Sequence, residues 1–219
     1  MNVGIALLSG GLDSGVAAAL FAAGGGRLRL ALFADYGQRA RAREAAASRA
    51  LAARLQVEWR SVDLPWLGAL ATRSGSRLLP GTGPVPHGTV AVPGDRGSAR
   101  AVWVPARNAV LVALAAAHAE ALEASCVVAG FNREEAATFP DNSPAFLAAG
   151  DAFLAHGTRS GVRVVSPTLQ FDKDTIVQAA RDLGYGPGDF WSCYEGDERP
   201  CGRCESCLRS RWQRGPVTG

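Results

Sequence analysis

Nothing in this chain of 219 residues approaches the roughly 20 consecutive apolar positions that a membrane helix needs, and no basic stretch followed by an apolar core opens it. A membrane protein is therefore not expected, and a cytoplasmic one is. The net charge is only +3, with 20% of residues charged, too small an excess to argue for a nucleic-acid surface. Small anionic ligands suit it better. There is no internal repeat, and the three histidines, His87, His118 and His156, are scattered and suggest no shared role. Of the five cysteines only Cys126 lies outside the C-terminal region, within an apolar run that makes it a small core residue rather than a nucleophile. What is present, 47% apolar residues over this length, is enough for one catalytic domain with a real core and a small appendage.

The apolar run Val3 to Leu8 reads as a strand and Gly15 to Ala23 as a helix. Between them stands Ser9-Gly10-Gly11-Leu12-Asp13-Ser14. A small-residue turn from strand to helix gathers backbone N–H groups where the helix dipole is positive, which makes an anion site suited to a phosphate chain. Ser9 and Ser14 add hydroxyls, and Asp13 adds a carboxylate that can hold Mg²⁺ or orient the loop. A glycine pair alone is more often an ordinary tight turn. Serine, aspartate and serine at fixed offsets favour the phosphate site. No Gly-Lys-Ser/Thr follows, so this is not the lysine-containing P-loop, and Gly-x-Gly-x-x-Gly is absent too.

Further strands are read at Leu28 to Ala34, Gln56 to Val62, Ser125 to Phe131 and Val162 to Ser166. Helices are read at Ser14 to Ala23, Gln38 to Leu55, Asn108 to Leu122, Pro144 to Gly157 and Lys173 to Leu183. Such alternation predicts an α/β fold with a doubly wound, mostly parallel sheet and ligands at the carboxyl ends of its strands. Residues 1–185 form this domain, 186–219 a C-terminal appendage, and the Gly/Pro/Ser/Arg-rich stretch near 66–101 a flexible insertion, either a flap over the site or a disordered segment.

Three more strand ends carry polar groups. Asp35 and Gln38 of Asp35-Tyr36-Gly37-Gln38-Arg39 can meet a nucleotide, or Asp35 can cap a helix. Arg107, in Val104-Pro105-Ala106-Arg107-Asn108, offers a fork of donors for phosphate or carboxylate, or is simply a solvated arginine. Asn132 and Asp141 supply edges for a heterocycle, although Asp141 can instead cap the helix near Pro144; Glu134 and Glu135 read as surface charge. Lys173, following Ser166-Pro167-Thr168-Leu169 at a helix start, is a mobile point charge that can reach a triphosphate. The tail has the spacing Cys-x7-Cys-x2-Cys-x2-Cys over Cys193, Cys201, Cys204 and Cys207, which suits tetrahedral Zn²⁺, with a Cys₄ iron–sulfur cluster as the rival.

Together these segments resemble the 7-cyano-7-deazaguanine synthase family of PP-loop ATP-pyrophosphatases, whose fold is of the Rossmann-like adenine nucleotide hydrolase type. The resemblance covers nearly the whole chain. It implies conversion of 7-carboxy-7-deazaguanine and ammonia to the nitrile with ATP and Mg²⁺, on the route to queuosine and archaeosine, by a homodimer with structural Zn²⁺. It implies a nucleotide stretch of Leu8, Ser9, Gly10, Gly11, Leu12, Asp13, Ser14, Gly15, Val16, Ala17 and Ala18, joined by Asp35 and Arg107. Asp13, Ser14 and Lys173 are the expected catalytic residues, Gln38, Asn132 and Asp141 the substrate contacts, and the four tail cysteines the zinc ligands. Where the family commonly has Tyr-Pro-Asp-Cys followed by Arg-Pro, this chain has Phe139-Pro140-Asp141-Asn142-Ser143-Pro144.

Overall fold

Short aliphatic runs become strands here because helices bury both of their faces. In the computed structural model, which describes residues 2–87 and 96–210, five strands form one parallel sheet in the order β3-β2-β1-β4-β5. They are β1 (Val3–Leu7), β2 (Arg27–Asp35), β3 (Trp59–Asp63), β4 (Cys126–Val128) and β5 (Arg163–Val165). The main helices are α1 (Leu12–Ala23), α2 (Arg41–Arg54), α3 (Pro65–Arg73), α4 (Arg96–Ala101), α5 (Arg107–Ala121), α6 (Arg133–Ala136), α7 (Pro144–Gly157), α8 (Lys173–Asp182) and α9 (Glu205–Arg209).

The period of two along β1 divides the core. Ala6, with Leu8 just beyond the strand, packs against Val16 of α1, Leu51 of α2 and Ile176 of α8, whereas Ile5 packs against Val112 of α5 and Leu154 of α7. Each face is thus covered by its own helices, the doubly wound arrangement expected. The chain builds outward from β1 through β2 to β3, then returns to start β4 on the other side of β1. This reversal opens a crevice between the carboxyl ends of β1 and β4, where ligands of such sheets bind.

The stretch read as a loop from 66 to 101 contains two helices. Pro65 sits at the first position of α3, where its fixed φ is favourable. Leu67 and Ala71, one turn apart, are buried with Leu64, Leu79, Val102 and Val104. Glycine and arginine between these apolar positions hide their helical period in the sequence. The part of the expected flap at 88–95 lies outside the described residues.

Candidate active site

Gly10 makes the turn after β1 possible. Its φ is +85°, and a Cβ there would lie 2.4 Å from the Glu44 carbonyl oxygen. Gly11 then caps α1, so the first turn of the helix faces the crevice. The serines shape this loop before they serve any ligand: their hydroxyls lie 2.9 Å apart, Ser9 N–H donates to Ser14 Oγ at 3.2 Å, and Ser14 Oγ–H donates to the Gly11 carbonyl at 3.2 Å. Across the crevice Gly130 admits the loop, since a Cβ on it would meet Ser14 N at 2.6 Å.

Lys173, placed by the first turn of α8, reaches back over the loop. Its Nζ donates to Asp13 Oδ2 at 2.5 Å and lies 3.1 Å from Glu135 Oε1. Burial works against the ammonium charge, but the two carboxylates overcome it and hold the Lys173 pKa above the usual lysine range. Burial likewise works against Glu135, yet Lys173 and Arg209 bring its carboxyl below the usual range, while burial dominates at Asp13 and raises it. Asp13 Oδ1 is buried and has no hydrogen-bond partner among the described residues. A buried carboxylate oxygen left bare beside a phosphate-type loop has the chemistry of a Mg²⁺ ligand.

Two lobes of about 250 Å³ each meet at this loop. Ser9, Asp13, Ser14, Glu44, Arg107 and Asn142 line both. The inner lobe lies over the strand ends and is walled by Leu32, Phe33, Ala34, Ala129 and Gly130. Lys173 faces the outer lobe, which is walled by Trp103, Phe139, Asp141, Tyr194 and Arg209. Trp103 and Phe139 lie nearly parallel, 9° between planes and 6.3 Å between centroids. Arg107 opens α5 after Ala106, whose left-handed φ of 52° costs of order 1 kcal/mol. Burial opposes the Arg107 charge, but Tyr36, Asp141 and Tyr194 around it raise its pKa overall. Glu44 is pushed up to about 7 by burial, against a hydrogen bond from Gln38 and the charge of Arg107.

Not every residue expected at the site reaches it. Leu8, Ser9, Gly11, Leu12, Asp13, Ser14, Gln38, Arg107, Asp141 and Lys173 line the cleft. Asp35 lines neither lobe; its carboxylate accepts the Gly37 N–H at 2.9 Å and closes the turn after β2. Asn132 is fully buried and caps α6 by accepting the Glu135 N–H at 2.9 Å. Gly15, Val16, Ala17 and Ala18 are buried and line neither lobe, because only the first turn of α1 faces the crevice. Gln38 spends its amide on the Tyr36 N–H, the Ala34 carbonyl and Glu44.

Glu135, read from sequence as surface charge, instead sits between Lys173 and Arg209. Arg209, Glu44, Trp103 and Tyr194 carry no sequence signal, being brought in by folding alone.

The tail is tied to the loop directly: Trp191 N–H donates to the Gly10 carbonyl at 2.9 Å. The sulfur atoms of Cys193, Cys201, Cys204 and Cys207 all lie within 4.8 Å of one another. Cys201–Cys207 and Cys193–Cys204 are each 4.0 Å apart, near the roughly 3.8 Å edge of a tetrahedron of 2.3 Å zinc–sulfur bonds. Backbone N–H groups point at three of these sulfurs, at 3.3 Å for Cys201 N to Cys193 Sγ and 3.2 Å for Cys204 N to Cys201 Sγ. Such donors stabilise thiolates, and the neighbouring thiols of Cys193 and Cys207 hold Cys204 below the usual thiol range. The four cysteines fit a tetrahedral metal.

The family described as queuosine biosynthesis protein QueC matches residues 3–213. A 7-cyano-7-deazaguanine synthase from Pelotomaculum thermopropionicum is 45% identical over 209 residues, 94% of this chain and 93% of that protein. One from Desulforudis audaxviator is 47% identical over 213 residues, with the same coverage. Among solved structures, a 4-thiouridine synthetase–RNA complex with bound ATP superposes with a TM-score of 0.51 at 18% identity, over 94% of this chain and 48% of that one. That likeness concerns the fold. Among the described residues no helix is long and apolar enough to cross a membrane.

Proposed function

The chain belongs to the queuosine biosynthesis protein QueC family, and from that premise we propose that it converts 7-carboxy-7-deazaguanine, ammonia and ATP to 7-cyano-7-deazaguanine. The observation that carries the reading is Lys173, whose ammonium lies at the Ser9–Ser14 loop where the two lobes meet, held between Asp13 and Glu135. The inner lobe, with its apolar walls over the strand ends, takes the adenine nucleotide. The outer lobe, with parallel Trp103 and Phe139 rings and the Arg107 guanidinium, takes the planar, anionic acid.

A carboxylate is a poor electrophile until one of its oxygens becomes a leaving group. The loop N–H groups and Lys173 gather the phosphate oxygens and offset the charge that builds on the departing pyrophosphate. Because its carboxylates keep it protonated, Lys173 acts as a fixed charge and not as an acid. Asp13 Oδ1 would hold Mg²⁺, which when bound neutralises phosphate charge. Adenylation of the acid lets ammonia displace AMP to give the amide; a second adenylation, on the amide oxygen, lets AMP leave again as the nitrile forms. The walls of the cleft hold the partners in line and exclude water, and no side chain becomes a covalent nucleophile.

In this reading the four cysteines hold structural Zn²⁺, the stretch from residue 186 through the cysteine quartet forms a subdomain on the ATP-handling domain, residues 211–219 lying outside the described residues, and the enzyme works as a cytoplasmic homodimer. The test is incubation of the purified protein with ATP, Mg²⁺, ammonium and the acid, following AMP and product mass. The expected result is the nitrile mass with two AMP formed for each acid consumed. AMP release that ignores the acid, or a product that stops at the amide mass, would sink the reading. The amide outcome has particular interest because Asn142, which replaces the family's usual cysteine, lines both lobes.

A further inference from the structure

The cysteine tail does more than close the outer lobe. Helix α9 has five residues, too few to persist alone, and two of the four clustered cysteines fix it: Cys204 is its N-cap and Cys207 lies within it. From this pinned turn Arg209 extends toward the loop. Its Nη2 pairs with Glu205 at 2.5 Å one turn back, and its Nη1 lies 3.6 Å from Glu135 Oε1. That oxygen is the one that faces Lys173 at 3.1 Å. Two cations therefore share one carboxylate oxygen, and Lys173 sits closer to Asp13, at 2.5 Å.

We infer that Arg209 is a positioning residue through which the cysteine-bound metal holds Lys173 on the phosphate-binding loop. Arg209 engages Glu135, weakening its claim on Lys173, so the ammonium stays over Asp13. Without an ordered α9, Arg209 withdraws, Glu135 draws Lys173 away, and the loop loses part of its fixed charge. The clustered thiolates fit a tetrahedral metal, and bringing four of them within 4.8 Å without one sets like charges against each other. The metal centre is thus coupled to the catalytic lysine by a chain of charged contacts and not only by packing. The inference uses the assignment of Lys173 to catalysis, but its contact chain can be tested without turnover.

Lys173 is the chain's single lysine, so an amine-acylating reagent followed by peptide mass reads this one side chain apart from the terminal amine. In metal-loaded protein Lys173 should acylate slowly. Arg209→Gln should speed this about tenfold, the scale of losing one charged contact; Arg199→Gln, an exposed arginine of the same tail, should not. Should Arg209→Gln fail to hold metal, Glu135→Gln breaks the same link from the other side: with no carboxylate left to draw Lys173 off Asp13, metal removal should no longer change its acylation. Equal acylation in wild type and Arg209→Gln, or full metal sensitivity persisting in Glu135→Gln, would overturn the inference. In turnover, Arg209→Gln should lower kcat with the KM for ATP unchanged, and Arg209→Lys should restore most of it. If Lys173→Met still makes AMP at the normal rate, the functional reading fails whatever the acylation result.

Discussion

The two lobes of the cleft are built in different ways. The inner lobe is walled mainly by residues of β1, β2 and β4 or just after them, and closed by Glu44 of α2 and by Arg107, Asn108 and Leu111 of α5, so most of its shape follows from the sheet. The outer lobe takes Leu78 from the insertion and Val102 from just after it, Phe139 and Asp141 from the connection before α7, and Trp191, Tyr194 and Arg209 from the tail. These segments are held by side chains instead of a shared ladder. Arg39 donates to the carbonyls of Arg77 and Gly83 and pairs with Glu195 at 3.9 Å, joining insertion to tail. On the proposed reading, an inner lobe shaped mainly by the sheet serves any reaction that begins by activating an acid with ATP, whereas the clamped outer lobe can change its acid without disturbing the first.

This contrast is broken most severely by attacking the junction. Asp13→Asn keeps the shape of the side chain but removes the charge that holds Lys173 and leaves no anionic oxygen for Mg²⁺. AMP formation should fall by about 10²–10³, the usual cost of losing a preorganised charge at a reacting phosphate. Binding of the acid, followed by quenching of tryptophan fluorescence, should survive. If acid binding collapses together with AMP formation, the lobes do not divide the work. Trp103→Ala sharpens the same contrast from the outer side. Loss of one stacking ring should raise the KM for the acid about tenfold to a hundredfold. The KM for ATP should stay within about twofold of wild type, and an equal rise in both would place the ring against the nucleotide.

What could be read from the sequence follows the same division. The Ser9–Ser14 loop and the cysteine quartet were legible because each carries its chemistry within a few residues, and Lys173 was legible because it starts a helix after a strand. Glu135 was misread because both of its partners lie far along the chain, where no local pattern marks them. Asp35 and Asn132 show how short polar side chains after strands are taken up by turns and caps: here each accepts a nearby backbone N–H. The doubly wound sheet was plain from alternating runs. Helix α3 was not, since its buried Leu67 and Ala71 are separated by residues that read as loop.

The mildest test concerns Glu44, which lines both lobes and belongs to neither. Its carboxyl is pushed from 4.5 up to about 7, first by burial. The folded protein therefore binds this proton more tightly than the unfolded chain does. Glu44 costs the fold nothing while both states are protonated, below about pH 4.5, and its cost grows as pH rises to about 7 and then levels off. Glu44→Gln removes the titration while keeping an oxygen that can accept the Gln38 amide. Denaturant midpoints should show little gain for the variant near pH 4 and a gain of about 1–2 kcal/mol at pH 8, since partial solvation of the carboxylate reduces the full effect. A constant gain across that range would mean that the Glu44 carboxyl titrates in the fold as it does in the unfolded chain and is ionised at neutral pH, with the Gln38 amide and the Arg107 charge offsetting burial. Both lobes would then share an anionic wall at neutral pH, and the acid would have to enter the outer one against it.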